Sequence, residues 1–145
     1  MKVVVQRVQN ANVTVRDKKV GEINKGLLLL VGFTQNETQE NIDWMVKKIT
    51  NLRIFDDQDG IMNISIKDIK GEILSVSQFT LYADSKKGNR PSYIKALNGE
   101  EAIILYNKFN KKLKETGLKV EEGIFGEDMQ VSLTNDGPIT IILEK

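Results

Sequence analysis

The chain has 145 residues and a formal net charge of +1, with no cysteine and no histidine. That length suits one domain, 1–145, which buries roughly 68–70% of its unfolded surface and needs no disulfide or metal to fold. The missing residue types exclude a Ser-His-Asp triad, a Cys-His pair, disulfides and zinc sites built on either ligand. No side chain has an ordinary pKa near neutrality. An enzyme of this composition must move protons with shifted carboxylates or lysines, with water, or with its substrate. The near-neutral charge argues against a strongly basic nucleic-acid binder but allows a local patch. Leu27–Phe33 is far too short to cross a membrane, and Gln6, Arg7, Gln9 and Asn10 interrupt any N-terminal apolar stretch. A soluble cytoplasmic protein is expected.

Lys2–Arg7 alternates and is rich in β-formers, and Ala11–Arg16 can pair with the next segment of chain. Asp17-Lys18-Lys19 is predicted as a hairpin turn into Val20–Ile23. Leu27–Phe33 is an unbroken apolar run, which predicts a strand buried on both faces. Ile42, Met45, Val46, Ile49 and Leu52 follow helical spacing and predict a helix over Glu37–Leu52, capped by Asn36 or Thr38. Asp56–Gly60 looks slightly like a calcium loop but lacks the bidentate glutamate at the required offset, so a turn is expected. Ile73–Leu81 is predicted as a central strand. Ala102, Leu105, Tyr106, Phe109 and Leu113 predict a helix over Gly99–Glu115, stopped by Gly117. Two last strands, Met129–Thr134 and Ile139–Glu144, flank a Gly-Pro step. The expected fold class is α+β: one domain with a curved, mostly antiparallel sheet and two helices packed on it.

Two segments carry the chemistry: Ser77-Gln78-Phe79-Thr80-Leu81 and Asn135-Asp136-Gly137-Pro138-Ile139-Thr140. Pro138 is one of only two prolines. A Gly-Pro step takes the cis form at a cost of only about 0.5–1 kcal/mol. It sets two carbonyls beside a residue with no N–H to donate. Such a step is either an ordinary turn or a rigid backbone device for gripping a ligand. Lys86, Lys87 and Arg90 cluster directly after the first segment and suit a phosphate contact. Lys108, Lys111, Lys112 and Lys114 are read as a solvated helix face.

The chain resembles the D-aminoacyl-tRNA deacylases along its whole length. The resemblance is carried by Val4–Val8, Gly21–Ile23, Lys25–Leu28 and Leu52–Phe55, then by Ser77–Leu81, Lys87–Ser92, Gly123–Gly126, Asp128-Met129 and Asn135–Thr140. It implies a sheet closed toward a barrel and a homodimer with its active site at the subunit interface. It implies hydrolysis of the ester joining a D-amino acid to the terminal adenosine of tRNA, with no metal and no cofactor. Glycyl-tRNA, which has no chirality, is left open.

By this resemblance Phe79 and Thr80 are the catalytic positions. Thr80 is the candidate nucleophile, but a hydroxyl needs a base and no histidine exists. An activated water is therefore favoured over a covalent Thr80 ester, with the Phe79 and Thr80 N–H groups holding the oxyanion. Ser77 and Gln78 position the adenosine. Phe79 either stacks or belongs to the core, and Met129 either lines the pocket or belongs to the core. Gly137 and Pro138 resemble a chirality filter whose carbonyls, inserted from the partner subunit, receive the α-ammonium and exclude an L side chain. Arg7 is expected to brace that step; otherwise it is a surface arginine at a strand end. Lys86, Lys87 and Arg90 are the expected tRNA contacts. Two rival readings stand beside this one: a dimeric RNA-end binder without catalysis, and a hydrolase of free D-amino-acid esters or peptides.

Overall fold

The first strand, β1 (Lys2–Val15), is long enough to serve three partners. Its first half pairs antiparallel with β3 (Gly26–Gly32), its second half with β2 (Lys18–Ile23), and nearly its whole other edge with β8 (Gln130–Glu144). β6 (Glu72–Ser77) and β7 (Lys119–Glu122) extend the sheet beside β3 in the parallel sense. The computed structural model, which describes Met1–Lys145, thus contains a mixed sheet of order β2-β1-β3-β6-β7, with β8 on the far edge of β1. The sheet curls until β2 faces β7, and a Cβ on Gly21 would lie 3.1 Å from the Glu122 carbonyl oxygen. The result is a nearly closed barrel of one α+β domain. It is less uniformly antiparallel than the strand pattern suggested, because β6 and β7 each return parallel to their neighbour.

The two helices lie where the periodicity put them. α1 (Gln39–Asn51) is capped by Thr38, whose hydroxyl accepts from the Asn41 N–H, and α2 (Gly99–Glu115) by Asn98, which accepts from the Glu101 N–H. Gly117, at φ +84°, ends the second helix. Both helices bury their apolar faces against Val3, Val5, Leu27, Leu29, Val31 and Ile73 in the main core. A smaller core forms on the opposite side of the sheet around Val8, Ala11, Val13, Ile23, Leu28 and Leu74. β3 thus contributes to both cores, which accounts for its unbroken apolar sequence.

Three local expectations need correction, and three short strands were not anticipated. The β1–β2 turn is Arg16-Asp17, both at positive φ, so Lys18 and Lys19 already belong to β2. The turn expected at Asp56–Gly60 is present, and it joins β4 (Phe55–Asp56) to β5 (Met62–Ile64) in a small hairpin the sequence did not announce. The Asp57 carboxylate accepts from the Asp59 and Ile61 N–H groups there, which holds its pKa below the usual value. β7 was also not foreseen, because Lys119-Val120-Glu121-Glu122 offers little apolar surface. β6 stops at Ser77, and Phe79–Tyr82 forms a 3₁₀ turn in place of the expected strand end. The two last strands are one continuous strand, β8, with the Gly-Pro step bulged out of its middle.

The parallel contact between β3 and β6 leaves no room at its start. A Cβ on Gly26 would sit 1.8 Å from the Glu72 carbonyl oxygen. Gly26→Ala must therefore part the two strands. It is expected to cost about 3 kcal/mol of unfolding free energy, at the upper end of overpacking effects. Urea denaturation should show a lowered midpoint, and an unchanged midpoint would mean the strands can separate freely.

Candidate active site

A cavity of about 530 Å³ opens where β3 and β6 end. Val31, Gly32, Phe33, Val76 and Ser77 form its floor. Gln78 and Phe79 form one side, and Phe125–Met129 with Val131 form the other. Leu97, just before α2, and Gly99 and Ala102 at its start complete the lining. Its size suits one nucleoside with a small attached group.

The segment beside it is shaped by backbone bonds. The Gln78 N–H donates to the Val31 carbonyl at 2.7 Å, the last rung beside β3. Beyond that rung β3 ends at Gly32, so a continuing strand would have no partner. The chain instead turns, with the Leu81 N–H donating to the Gln78 carbonyl and the Ala83 N–H to the Thr80 carbonyl. A Cβ at Gly32 would lie 2.9 Å from the Gln78 carbonyl oxygen, so only glycine permits this approach. The Phe79 and Thr80 N–H groups donate to nothing within the protein. They are the free donors expected at the first turn of a helix.

Thr80 is half-buried, and its hydroxyl accepts from the Gln78 side-chain amide. That amide cannot take a proton, and no carboxylate is hydrogen-bonded to Thr80. Phe79 is 57% exposed, so it is not a core residue. Ser77 and Met129 both line the cavity. The only acids on the wall are Glu127 and Asp128, and both Glu127 oxygens accept from Arg16 at 2.9 Å.

The second motif lies elsewhere. β1 has one residue, Arg7, between the paired positions Gln6 and Val8, whereas β8 has residues 136–139 between Asn135 and Thr140. The Gly-Pro step is the exposed tip of that bulge, with a cis peptide bond between Gly137 and Pro138. Gly137 has φ +119°, a conformation reserved for glycine, and a Cβ there would meet Ile139 at 2.9 Å. The Asn135 amide donates to the Ile139 carbonyl and the Thr140 hydroxyl and closes the base of the bulge. Arg7 is buried beneath it. Its Nε donates to the Asp136 carbonyl at 3.3 Å and pairs with the Asp136 carboxylate at 3.1 Å. Its Nη1 donates to the Ile54 carbonyl at 2.8 Å and to Asp56 at 3.3 Å. Neither Gly137 nor Pro138 borders the cavity of the same chain.

Lys86, Lys87 and Arg90 are exposed on the segment after the 3₁₀ turn, and none forms an ion pair. Asp84 anchors that segment. The Lys86 N–H donates to its carboxylate at 3.0 Å and Lys95 lies 3.5 Å away, so its pKa is held below the usual value, chiefly by that backbone N–H. No group of three histidine, cysteine, aspartate or glutamate side chains could hold a metal, and no helix is long and apolar enough to cross a membrane.

A family model described as D-Tyr-tRNA(Tyr) deacylase matches residues 4–144. The chain belongs to that family. It is accordingly a hydrolase. Proteins named D-aminoacyl-tRNA deacylase resemble it closely. The one from Flavobacterium psychrophilum is 59% identical, over 99% of this chain and 97% of that protein. The one from Flavobacterium johnsoniae is 54% identical over the same shares. A solved structure named c-Myc DNA Unwinding Element Binding Protein is 44% identical, with TM-score 0.94 over 100% of this chain and 99% of that one. Another, described as a probable eukaryotic D-amino acid tRNA deacylase, is 18% identical with TM-score 0.86 over 98% of this chain and 97% of that one, a likeness of fold alone.

Sequence reasoning gave no role to Phe125, Gly32 or Leu97, all of which line the cavity. The only sequence sign of Phe125 was its place between Gly123 and Gly126. Gly32 was hidden inside an apolar run. The bulge yields a test of its brace. Arg7→Ala removes the guanidinium bonds to Asp136, Ile54 and Asp56 and leaves the half-buried Asp136 carboxylate unpaired. A loss of about 2 kcal/mol is expected, since hydrogen bonds to charged groups contribute roughly 1.5–3 kcal/mol each before relaxation. Chemical denaturation measures it, and an unaltered midpoint would show that Arg7 does not hold the bulge.

Proposed function

We propose that this enzyme hydrolyses the ester between a D-amino acid and the terminal adenosine of tRNA, in the cytoplasm. The observation that carries the reading is the cavity at the end of β6, walled by Gln78 and Phe79 and adjoining two free N–H donors, in a chain of this family. The adenosine occupies the cavity, positioned by Ser77 and Gln78, with Met129 on the opposite wall. Water attacks the ester carbonyl carbon, and the carbonyl oxygen becomes an oxyanion held by the Phe79 and Thr80 N–H groups. One such donor typically contributes about 2.7–4 kcal/mol to the transition state. The C–O bond to the ribose then breaks, and the ribose oxygen leaves with a proton that originates on the attacking water and passes through the neighbouring ribose hydroxyl. The products are the free D-amino acid and tRNA.

Thr80 acts here by position. Its hydroxyl already accepts from Gln78, and nothing beside it can remove its proton. Thr80→Ala is expected to slow deacylation about tenfold without abolishing it, because the backbone donors survive. Rapid-quench assays on D-tyrosyl-tRNA measure this, and an acyl-enzyme trapped on Thr80 would overturn it.

The chirality filter is the pair of Gly137 and Pro138 carbonyls from a second copy. Main-chain atoms then receive the α-ammonium and fill the space an L side chain would need. Glycine has no side chain to reject, so glycyl-tRNA is a second expected substrate. The support is geometric: the bulge tip is exposed and lies outside its own chain's cavity, and the outer edge of β8 is unpaired. Lys86, Lys87 and Arg90 meet the phosphates of the acceptor end.

A homodimer with shared sites predicts complementation. Gly32→Ala spoils the cavity side and Gly137→Ala spoils the filter side. Each pure variant should be nearly inactive on D-tyrosyl-tRNA. A refolded mixture should regain a measurable fraction of activity, since a mixed dimer holds one intact site. Mixtures no better than their components would place both motifs in one chain's site. The 44% identical solved structure bears a DNA-binding name, and that keeps a binder without catalysis as a second reading. Multiple turnovers on D-tyrosyl-tRNA by the wild type, with L-tyrosyl-tRNA spared, decide between them.

A further inference from the structure

The Phe79 ring does not face solvent alone. Tyr93 stands against it edge-on, with ring centroids 5.1 Å apart and an interplanar angle of 66°. Both rings are exposed, Phe79 by 57% and Tyr93 by 41%, and Ile94 beside them by 81%. Large apolar side chains grouped at a cavity mouth mark a contact surface. Phe79 lines the cavity and Tyr93 lies beyond it, so the pair extends outward from the proposed adenosine site.

The platform is fixed at both ends. Asp84 and Ser92 form a two-way backbone bridge at 2.8 and 2.9 Å. The Thr34 hydroxyl donates to the Lys95 carbonyl at 2.6 Å, and the Leu97 N–H donates to the Phe33 carbonyl at 3.0 Å. Tyr93 is therefore held between two anchors.

Its charge surroundings are basic. Residues 83–95 include Lys86, Lys87, Arg90 and Lys95 against one acid, Asp84. A second cavity of about 330 Å³ borders the end of the 3₁₀ turn and the segment after it, lined by Lys2, Lys86 and Lys95 as well as by Asp84 and Glu144. Lys2 is engaged with Glu144 at 3.6 Å, and Lys95 with Asp84 at 3.5 Å, which leaves Lys86 the unpaired cation there. Exposed aromatic faces beside unpaired cations are the usual equipment for gripping single-stranded nucleic acid. Unstacked bases are what such faces accept.

We propose that Tyr93, set by Phe79, stacks on the nucleotide that precedes the terminal adenosine, while Lys86 meets the phosphate between them. This rests on the deacylase reading and deepens it. It makes Tyr93 a specificity residue that distinguishes a polynucleotide end from a lone aminoacyl-nucleoside.

The test compares D-tyrosyl-tRNA with D-tyrosyl-adenosine, using wild type, Tyr93→Ala and Tyr93→Phe. Tyr93→Ala is expected to lower kcat/KM on D-tyrosyl-tRNA by roughly tenfold, mainly through KM, as the loss of one stacked base predicts. It should leave D-tyrosyl-adenosine cleavage unchanged. Tyr93→Phe keeps the stacking face and should behave as wild type on both. Equal losses on the two substrates, or none on either, would overturn the platform while leaving the deacylase reading in place. If the wild type cleaves only the tRNA ester, a raised KM in Tyr93→Ala still supports the platform and an unchanged KM still refutes it. A wild type inactive on both would remove the deacylase reading and the platform with it.

Discussion

The fit between β3 and β6 governs the rest of the molecule. It begins at Gly26, where the Glu72 carbonyl occupies the place of a Cβ, and ends at Gly32, where the Gln78 carbonyl nearly does. Between these points five apolar residues of β3 bind the strand into two cores. Because the register is set at both ends, the position of Gln78 is set too. The 3₁₀ turn then follows from a shortage of partners, since β3 has no further residues to pair with a longer β6. Two free N–H groups at that turn are the direct result. A site made this way needs no reactive side chain, only a strand that stops where its neighbour does not.

A second constraint acts at a distance from the first. Arg7 is a buried guanidinium in the middle of a strand, and Asp136, Ile54 and Asp56 satisfy it. Burying such a charge is costly unless it is paired and hydrogen-bonded. Here two carbonyls and two carboxylates meet that requirement, one carbonyl and one carboxylate coming from Asp136 itself. The guanidinium therefore specifies the bulge as well as tolerating it. If β8 ran in regular register past Arg7, the Asp136 carbonyl would be committed to the ladder instead. The sheet thus places one signature segment at the end of a strand and the other on an outer edge.

The helices were legible because each has a capping residue and a full apolar face at the right period, and β3 because only burial on both sides explains seven consecutive apolar or small residues. The barrel closure was not legible from patterning, and it came from resemblance. β7 was missed because three of its four residues are charged and it gains its place from β6 rather than from its own propensity. The end of β6 was misread for a related reason: Phe79-Thr80-Leu81-Tyr82 has strand propensity, but propensity yields when no partner edge remains. Phe79 could not be assigned to core or surface from sequence, since an aromatic residue after a strand suits either. Tyr93 gave no sequence signal at all, because its meaning depends on the ring it touches.

One pattern connects these successes and failures. The groups proposed to act on the substrate are main-chain atoms: N–H donors at Phe79 and Thr80, and carbonyls at Gly137 and Pro138. Main-chain atoms leave no trace in the residue type that carries them. They become visible in sequence only through the residues that force the backbone into place, namely Gly26, Gly32, Gly137, Pro138 and Arg7. A chain without histidine or cysteine therefore looks chemically empty when read for side chains. Read for backbone control it does not, because each of those glycines stands where the structure leaves no space or no allowed φ for any other residue. The absence of histidine is then consistent with the chemistry, since a water attacking beside fixed dipoles asks for position and a dry wall more than for a titrating base.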